Sequence, residues 1–413
     1  MTSPRVVIMG AGLGGLGAAI ALKRSGVEDV TVLEQAERLE HIQVGIGMIM
    51  WPNGVKVLKE LGVEEELTEF ANSVRTVKAF DPSGKLLSTW DMSDIQQSVG
   101  AGTRCFVRGE LHKLLTSALA AIDPGALQLG KRVTEFSQDA DGVTVKLADG
   151  GEEHGDVLIC ADGLLSEARR TLTGLGRPDF PPYVYTTWNG VVPFPDREVF
   201  PDGTFYMVFG AGVRFNIYRT ENERAGDRCY WGVLSYVPER ESDPGGMKAF
   251  LGSILDGYMP PVNELVAATP EDDIRRFIFY GGKALPQLGR GRIALLGDAA
   301  HAMTNTLGQG SGMAFEDGIV LARALSSGLE PVAALEAYES RRMARTDAAL
   351  ELISKLSSTS AEETPAKVWI RNNVKIRLGF RRSLGAAYER WLSDVDQQLA
   401  PFPAAERTLT EAA

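Results

Sequence analysis

The sequence is short of the residues that build staples and metal cages. Its 413 residues include three cysteines, Cys105, Cys160 and Cys229, with no paired spacing. That excludes a disulfide framework and a cysteine zinc site, and it fits a reducing, cytoplasmic setting. The four histidines, His41, His112, His154 and His301, lie far apart and form no metal motif, so no metal is expected. No run approaches the 18 apolar residues of a membrane span. Met1-Thr-Ser-Pro-Arg5 leads straight into an apolar stretch without an h-region, so no signal peptide is expected. Positive charge is in deficit, 43 Lys and Arg against 54 Asp and Glu, for a net charge of −11. Nucleic acid is therefore a poor partner, although a local basic group can still meet an anionic cofactor.

Glycine is in excess. Average usage near 7% predicts roughly 29 in a chain of this length, and there are 45. Apolar residues make up 44%, so disorder is excluded. The surplus marks places where the backbone turns tightly or approaches something closely.

The chain opens as a β-α-β unit. Val6–Met9 is a short apolar run, Gly15–Lys23 reads as a helix, and Val30–Leu33 reads as a second buried strand. Val55–Leu61 and Arg108–Ala121 read as helices, Val143–Leu147 as a strand before an Asp149-Gly150 turn, and Val157–Ala161 as a strand. From about 178 to 285 prolines and alternating aromatics predict an antiparallel sheet. Arg292–Leu296 returns to a buried strand. A long helix follows over Pro331–Lys355, then a helical region over about 366 to 398. No internal repeat is visible.

Four motifs carry chemistry. Gly10-Ala-Gly12-Leu-Gly-Gly15 lies between strand and helix, where N–H groups and the dipole favour a pyrophosphate. Glu34 ends the second strand, 24 residues after Gly10, where a carboxylate can accept ribose hydroxyls. A tight structural turn is the bland account, and the register of strand, helix and acid favours a dinucleotide. Gly297-Asp298-Ala-Ala-His301 follows Ile293–Leu296 and precedes Leu307-Gly308-Gln309-Gly310. It places an acid and a helix dipole in the ligand crevice. Cys160-Ala-Asp162-Gly163 follows another strand; a turn with Ser166 as helix cap explains it equally well. Phe106-Val107-Arg108 starts a helix with a cation, which has no dipole benefit there.

Together these motifs resemble the class A FAD-dependent aromatic hydroxylases, the group with the para-hydroxybenzoate hydroxylase-type fold, and within it the salicylate hydroxylase and zeaxanthin epoxidase-like branch. The resemblance runs from residue 4 to about 355. It implies an α/β fold: a Rossmann-like FAD-binding domain from a discontinuous chain (1–74, 101–177 and 286–355), an antiparallel-sheet substrate domain (75–100 and 178–285), a C-terminal helical region (356–400) and a flexible tail (401–413). It implies that Gly10, Gly12, Leu13, Gly14 and Gly15 pass the FAD pyrophosphate, with Glu34 and Gln35 at the adenosine ribose and the Val133 backbone at adenine. Arg108 and Asp298 would serve the phosphate–ribityl region. Asp162 and Gly163 would touch FAD and NAD(P)H. Val44, Gly45, Ile46 and Gly47 would form the loop where the flavin swings. Leu307, Gly308, Gln309, Gly310, Ser311 and Gly312 would line the isoalloxazine.

The implied reaction reduces the flavin with NAD(P)H, adds O₂ to form a C4a-hydroperoxide, and hydroxylates an aromatic or polycyclic small molecule. An epoxidase, or an oxidoreductase without oxygen insertion, is the alternative within the fold; a non-catalytic FAD-binding protein is the alternative outside it. Trp188, Tyr206, Phe209, Phe215, Tyr218 and Trp231 are the aromatic substrate candidates, of which alternation allows about half to face a pocket. Arg214 and Asn216 are the polar ones, or a solvated sheet edge. Asn305, Gly308 and Gln309 are the catalytic candidates. His301 reads as a packed structural histidine and Cys160 as core. The sequence departs from the family pattern at Asn305 (usually Pro), Gly312 (usually Asn), Asn189 within Trp188-Asn189-Gly190 (usually Arg) and Arg219 after Tyr218 (usually Pro). Monomer and homodimer are both compatible with the sequence.

Overall fold

A computed structural model describes residues 3–43, 45–175, 183–236, 246–280, 284–379 and 384–403. Val44 and the tail beyond 403 lie outside the described residues. Mixed α/β architecture is built around two large sheets.

The first sheet has six strands in the order Gly289–Arg290, Ile293–Leu295, Val157–Cys160, Val6–Met9, Val30–Leu33, Leu127–Gln128. All but the first are parallel. The runs VVIM, VTVL and VLIC are buried on both faces, as an internal parallel strand requires. Helix Leu13–Arg24 lies against helix Gly310–Leu325, and small residues let the two backbones meet. A Cβ on Gly318 would sit 3.0 Å from the Ala18 backbone, and one on Gly17 would run into the Phe315 ring.

The second sheet has seven strands in the order Arg275–Tyr280, Tyr183–Pro193, Arg228–Ser235, Val213–Arg219, Thr204–Phe209, Thr76–Phe80, Leu86–Asp91. The sequence predicts an antiparallel sheet, and one pair departs from that. Thr204–Phe209 runs parallel to Thr76–Phe80, because the latter arrives from an early, distant segment rather than through a hairpin.

Alternation divides this sheet into two chemistries. One face carries Trp188, Phe215, Trp231 and Val233, which form a closed core with Phe250, Leu251 and Leu265 from two covering helices. The other carries Asn189, Arg214, Asn216, Tyr218 and Tyr230 and turns toward the first sheet; Tyr218 and Tyr230 join the core built around that first sheet.

Helix Pro331–Ser360 then runs back across the molecule, and Pro365–Ile370 leads into a π-helix, Arg371–Gly379. The sequence expectation there is simply helical. The wider turn closes i→i+5 bonds and so brings residues five apart to one side. Arg371 and Ile376 are both buried against the second sheet.

Candidate active site

The carboxyl ends of four parallel strands set the first-sheet motifs in a row. Sheet order places Asp298, then Asp162, then Gly10 and Gly12, then Glu34, side by side. Three strand spacings make this track about 14 Å long. It is the shape of a crevice for one extended ligand, with acids at both ends and backbone in the middle.

The middle has the make-up of an anion cradle. Helix Leu13–Arg24 starts at Gly12 with no side-chain cap and no acid in its first turn. A Cβ on Gly12 would meet nothing within 4 Å, so its surface faces open space. Gly10 and Gly15 serve a different purpose. Gly10 has φ +108° and a Cβ there would lie 2.5 Å from the Ala161 carbonyl oxygen; one on Gly15 would lie 2.0 Å from that of Gly10. Gly14 fits between Leu296 and Ala314. These three close the loop onto the sheet, leaving Gly12 and the free N–H groups for a ligand.

At one end Glu34 is buried, its carboxylate accepting from the Ala11 N–H (2.9 Å) and the Ala36 N–H (2.8 Å). Gln35 beside it is exposed, and Val133 begins a partly exposed strand. At the other end, Asp162 has a buried Oδ1 with no hydrogen-bond partner, and burial raises its carboxyl above the ordinary range. Gly163, at φ +78°, borders open space, as does Gly45. Asp298 is open to the crevice yet walled by protein. That enclosure raises its pKa against the opposing pull of His301, Arg108 and Arg169. Arg108 donates to the Ile42 carbonyl (2.9 Å), and burial lowers its pKa. Arg169 ties the two acidic loops together, donating to the carbonyls of Asp298 (3.0 Å), Ala299 and Leu164. An orphaned carboxylate oxygen, an uncapped helix start and an open glycine in one line fit a dinucleotide.

The loop after His301 is held from behind. Gln309 is buried, and both ends of its amide are used within the protein: Oε1 accepts from Asn53 (2.9 Å) and Nε2 donates to the Tyr388 hydroxyl. Its side chain is thus a pin in this structure, and Gly308, at φ +65°, packs on Ile49 and Trp51. Leu307 is buried, Gly310 begins the next helix, and Ser311 is half-buried beside it. At Gly312 a Cβ would meet Gln309 Oε1 at 3.3 Å and Asn53 Nδ2 at 3.4 Å, so the amide at this place belongs to Asn53.

Beneath lies a buried ionic network that the motif reading passed over. Glu316 accepts from Arg342, Arg345 and Asn53, and Asp317 from Arg342, His301 and the Gly297 N–H. Burial pushes the Glu316 carboxyl up, but Arg345 and Arg342 outweigh it and hold the group low. The signal was present: Glu316-Asp317 interrupts a helix of small apolar residues, and Arg342 and Arg345 stand one turn apart.

Substrate-sheet candidates separate cleanly. Trp188 and Trp231 are fully buried on the far face; Trp188 packs on Phe250 and Trp231 on Phe215, with its Nε1 donating to Thr269. Tyr206 and Phe215 share that core. These four cannot reach the cleft, because the sheet itself intervenes. Tyr218 is on the near face but buried in the core beside the first sheet, stacked on Tyr230 at 4.4 Å. Arg214, Asn216 and Phe209 share the near face.

Arg214 is the anomaly. It is 2% exposed, donates once to the Thr306 carbonyl (3.3 Å), and leaves Nε and Nη1 without partners. Asn216 Oδ1 is likewise buried and unpartnered. Tyr185, not singled out by any motif, donates to Asn305 Oδ1 (2.6 Å) and meets the Thr306 hydroxyl (3.1 Å). Asn305 itself is exposed. Sheet and loop therefore converge on Arg214, Tyr185 and Asn305. The remaining departures are structural here: Asn189 Oδ1 accepts from Tyr230 and Thr187, and Arg219 staples the carbonyls of Phe194, Asp196, Phe200 and Asp227.

Among the described residues no cluster suits a metal ion, and no helix is long and apolar enough to cross a membrane.

The chain matches the FAD binding domain family over residues 3–352. It is 32% identical to the FAD-dependent urate hydroxylase of Klebsiella pneumoniae, covering 83% of this chain and 86% of that one. It is 32% identical to the 6-hydroxynicotinate 3-monooxygenase of Bordetella bronchiseptica, covering 90% and 93%. The solved structure of Klebsiella pneumoniae HpxO with FAD and uric acid superposes with a TM-score of 0.75 at 29% identity, covering 96% of each chain.

Proposed function

The chain belongs to the class A FAD-dependent aromatic hydroxylases and is an FAD-dependent monooxygenase; from that premise we propose that it draws hydride from NAD(P)H and places one oxygen atom of O₂ on an aromatic or polycyclic small molecule. FAD supplies the redox chemistry when bound. The crevice from Glu34 to Asp298 would hold it, with the helix start at Gly12 facing the pyrophosphate.

The observation that carries the substrate half of this reading is Arg214. A buried guanidinium with two unpartnered nitrogens is costly in a protein on its own. An acceptor oxygen on the substrate relieves that cost and fixes the ring's orientation. Asn216 Oδ1, two residues along the same face, accepts a substrate N–H or O–H. Asn305 stands where sheet and flavin-side loop meet. With its Oδ1 taken by Tyr185, it offers N–H to a substrate oxygen. The dry sheet core behind these groups excludes water from the reacting atoms.

The test is a screen of aromatic compounds for stimulated NAD(P)H oxidation by the FAD-loaded protein under air, with mass spectrometry of products. A product heavier by one oxygen is expected. Stimulated oxidation with no oxygenated product from any compound would defeat the proposal.

A further inference from the structure

The near face of the second sheet changes character halfway across. Pairing register sets Asn189, Gly232, Asn216, Met207, Ala79 and Ser88 in one row. Asn189 and Asn216 make the first part of the row hydrogen-bonding, Met207 and Ala79 make the next part apolar, and Ser88 ends it with a hydroxyl. In the row beside it, Arg214 stands opposite Phe209. The boundary therefore falls between two adjacent strands, about 4.8 Å apart.

Beyond the boundary, the apolar Val77, Ala79, Trp90, Met207, Phe209 and Ile376, together with one polar residue, Ser88, line a cavity of about 10 Å³. The cavity has room for about one water as it stands. Met207 is partly exposed, unbranched and adaptable, so it can yield to a larger group. Ile376 is the opposite kind of wall. It is β-branched, 4% exposed, and comes from the π-helix that Arg371 fastens to the strand end, donating to the carbonyls of Phe209 (3.1 Å) and Gly210 (2.8 Å).

We propose that this chamber is a subsite for a compact apolar substituent on the substrate, with Ile376 setting its size. The preferred substrate is then amphipathic: a ring whose hydrogen-bonding edge meets Arg214 and Asn216, and whose far side carries a short alkyl group or a fused ring. A ring laid across one strand spacing from Arg214 brings its far edge over Met207 and Phe209. The inference rests on the reading of Arg214 as the substrate anchor.

The test is calorimetric binding to the FAD-loaded full-length protein of two probes, pyridin-2-one, with C=O and N–H on one edge, and its 5-butyl derivative. The butyl probe is expected to bind at least 10-fold tighter. Ile376→Trp, and independently Ala79→Leu from the sheet side, should abolish that preference while leaving the pyridin-2-one Kd within twofold; melting temperature and FAD content show that each variant folds. Arg214→Gln should weaken both probes by the same factor. Equal affinity of the two probes, a preference that survives both filling variants, or binding of neither probe overturns the chamber. Unchanged affinities in Arg214→Gln alongside a lost preference in the filling variants would sink the anchor and keep the chamber.

Discussion

The two halves of the site are made of different material. The crevice at the first sheet is made of backbone: an uncapped helix start, strand-end loops, and glycines whose missing Cβ leaves either a close contact or open space. The face on the second sheet is made of side chains, and its decisive group is a guanidinium that finds too few partners. On the proposed reading, the first kind of site meets a cofactor that never changes, so it tolerates little substitution. The second would read a substrate by a few side chains that can be exchanged while the sheet stands. Loss of fold and cofactor should therefore follow damage to the crevice, and loss of substrate alone should follow damage to the sheet face.

The largest expected effect separates two glycines. Gly10→Val forces a β-branched residue into φ +108° and against the Ala161 carbonyl; strain and overlap together cost about 3 kcal/mol or more. Lost FAD and a collapsed melting temperature are expected. Gly12→Ala, facing open space, should melt normally without cofactor and yet bind FAD at least 10-fold more weakly by fluorescence titration. Equal melting losses in the two variants would erase the distinction between packing and ligand glycines.

Next comes the network under the loop that follows His301. Glu316→Gln leaves Arg345 and Arg342 buried without their shared carboxylate, at about 3–5 kcal/mol. The same pair predicts an acid limb. The folded pKa of Glu316 lies below its unfolded value, so its stabilisation is complete above that unfolded value and is lost as pH falls toward the folded one. Melting temperatures recorded from pH 7 down to pH 3 should drop in the wild type and drop less steeply in Glu316→Gln, where Asp317 keeps its partners. Parallel curves would rule Glu316 out as a source.

Arg214→Met tests the sheet face. Substrate affinity should fall 10- to 100-fold, or about 1.4–2.7 kcal/mol, with FAD content unchanged. Because the guanidinium is buried and underbonded, the variant should melt no lower than the wild type. A marked drop in melting temperature would show that Arg214 holds the fold rather than a ligand.

The smallest effect is on the far face. Trp188→Phe should cost about 1–2 kcal/mol of stability through the space it leaves and shift substrate affinity less than twofold. A larger change in affinity would mean that the sheet does not insulate the two faces.

Legibility in the sequence followed the same division. The strands Val6–Met9 and Val30–Leu33 and the strand Val143–Leu147 were readable because buried parallel strands are short apolar runs and half-buried ones alternate. Glu34, Asp162 and Asp298 were readable as crevice candidates because each closely follows an apolar strand, and a strand's end is a local property. Trp188 and Trp231 were not separable from Arg214 and Phe209. Period-2 alternation says that neighbours face opposite ways, but not which way is the cleft. Gln309 stood inside a motif, and only its contacts with Asn53 and Tyr388, from 256 residues before and 79 after, show its amide already spent. Tyr185 carried no motif at all; the packing of the second sheet against the loop after His301 brings it to Asn305.

By itself the sequence placed the candidate crevice residues at strand ends, because there each element supplies its own contact through backbone geometry and the end of a strand is a local property. Only the tertiary structure decided which side of the second sheet faces inward, where the helical C-terminus widens to place Ile376, and that two of the three Arg214 guanidinium nitrogens are left without partners. Those are statements about what several distant segments fail or manage to offer one another. Glycine, the residue in surplus, illustrates both. Its abundance announces close approach, and the fold alone distinguishes Gly12, which faces open space, from Gly10 and Gly15, which face their own chain.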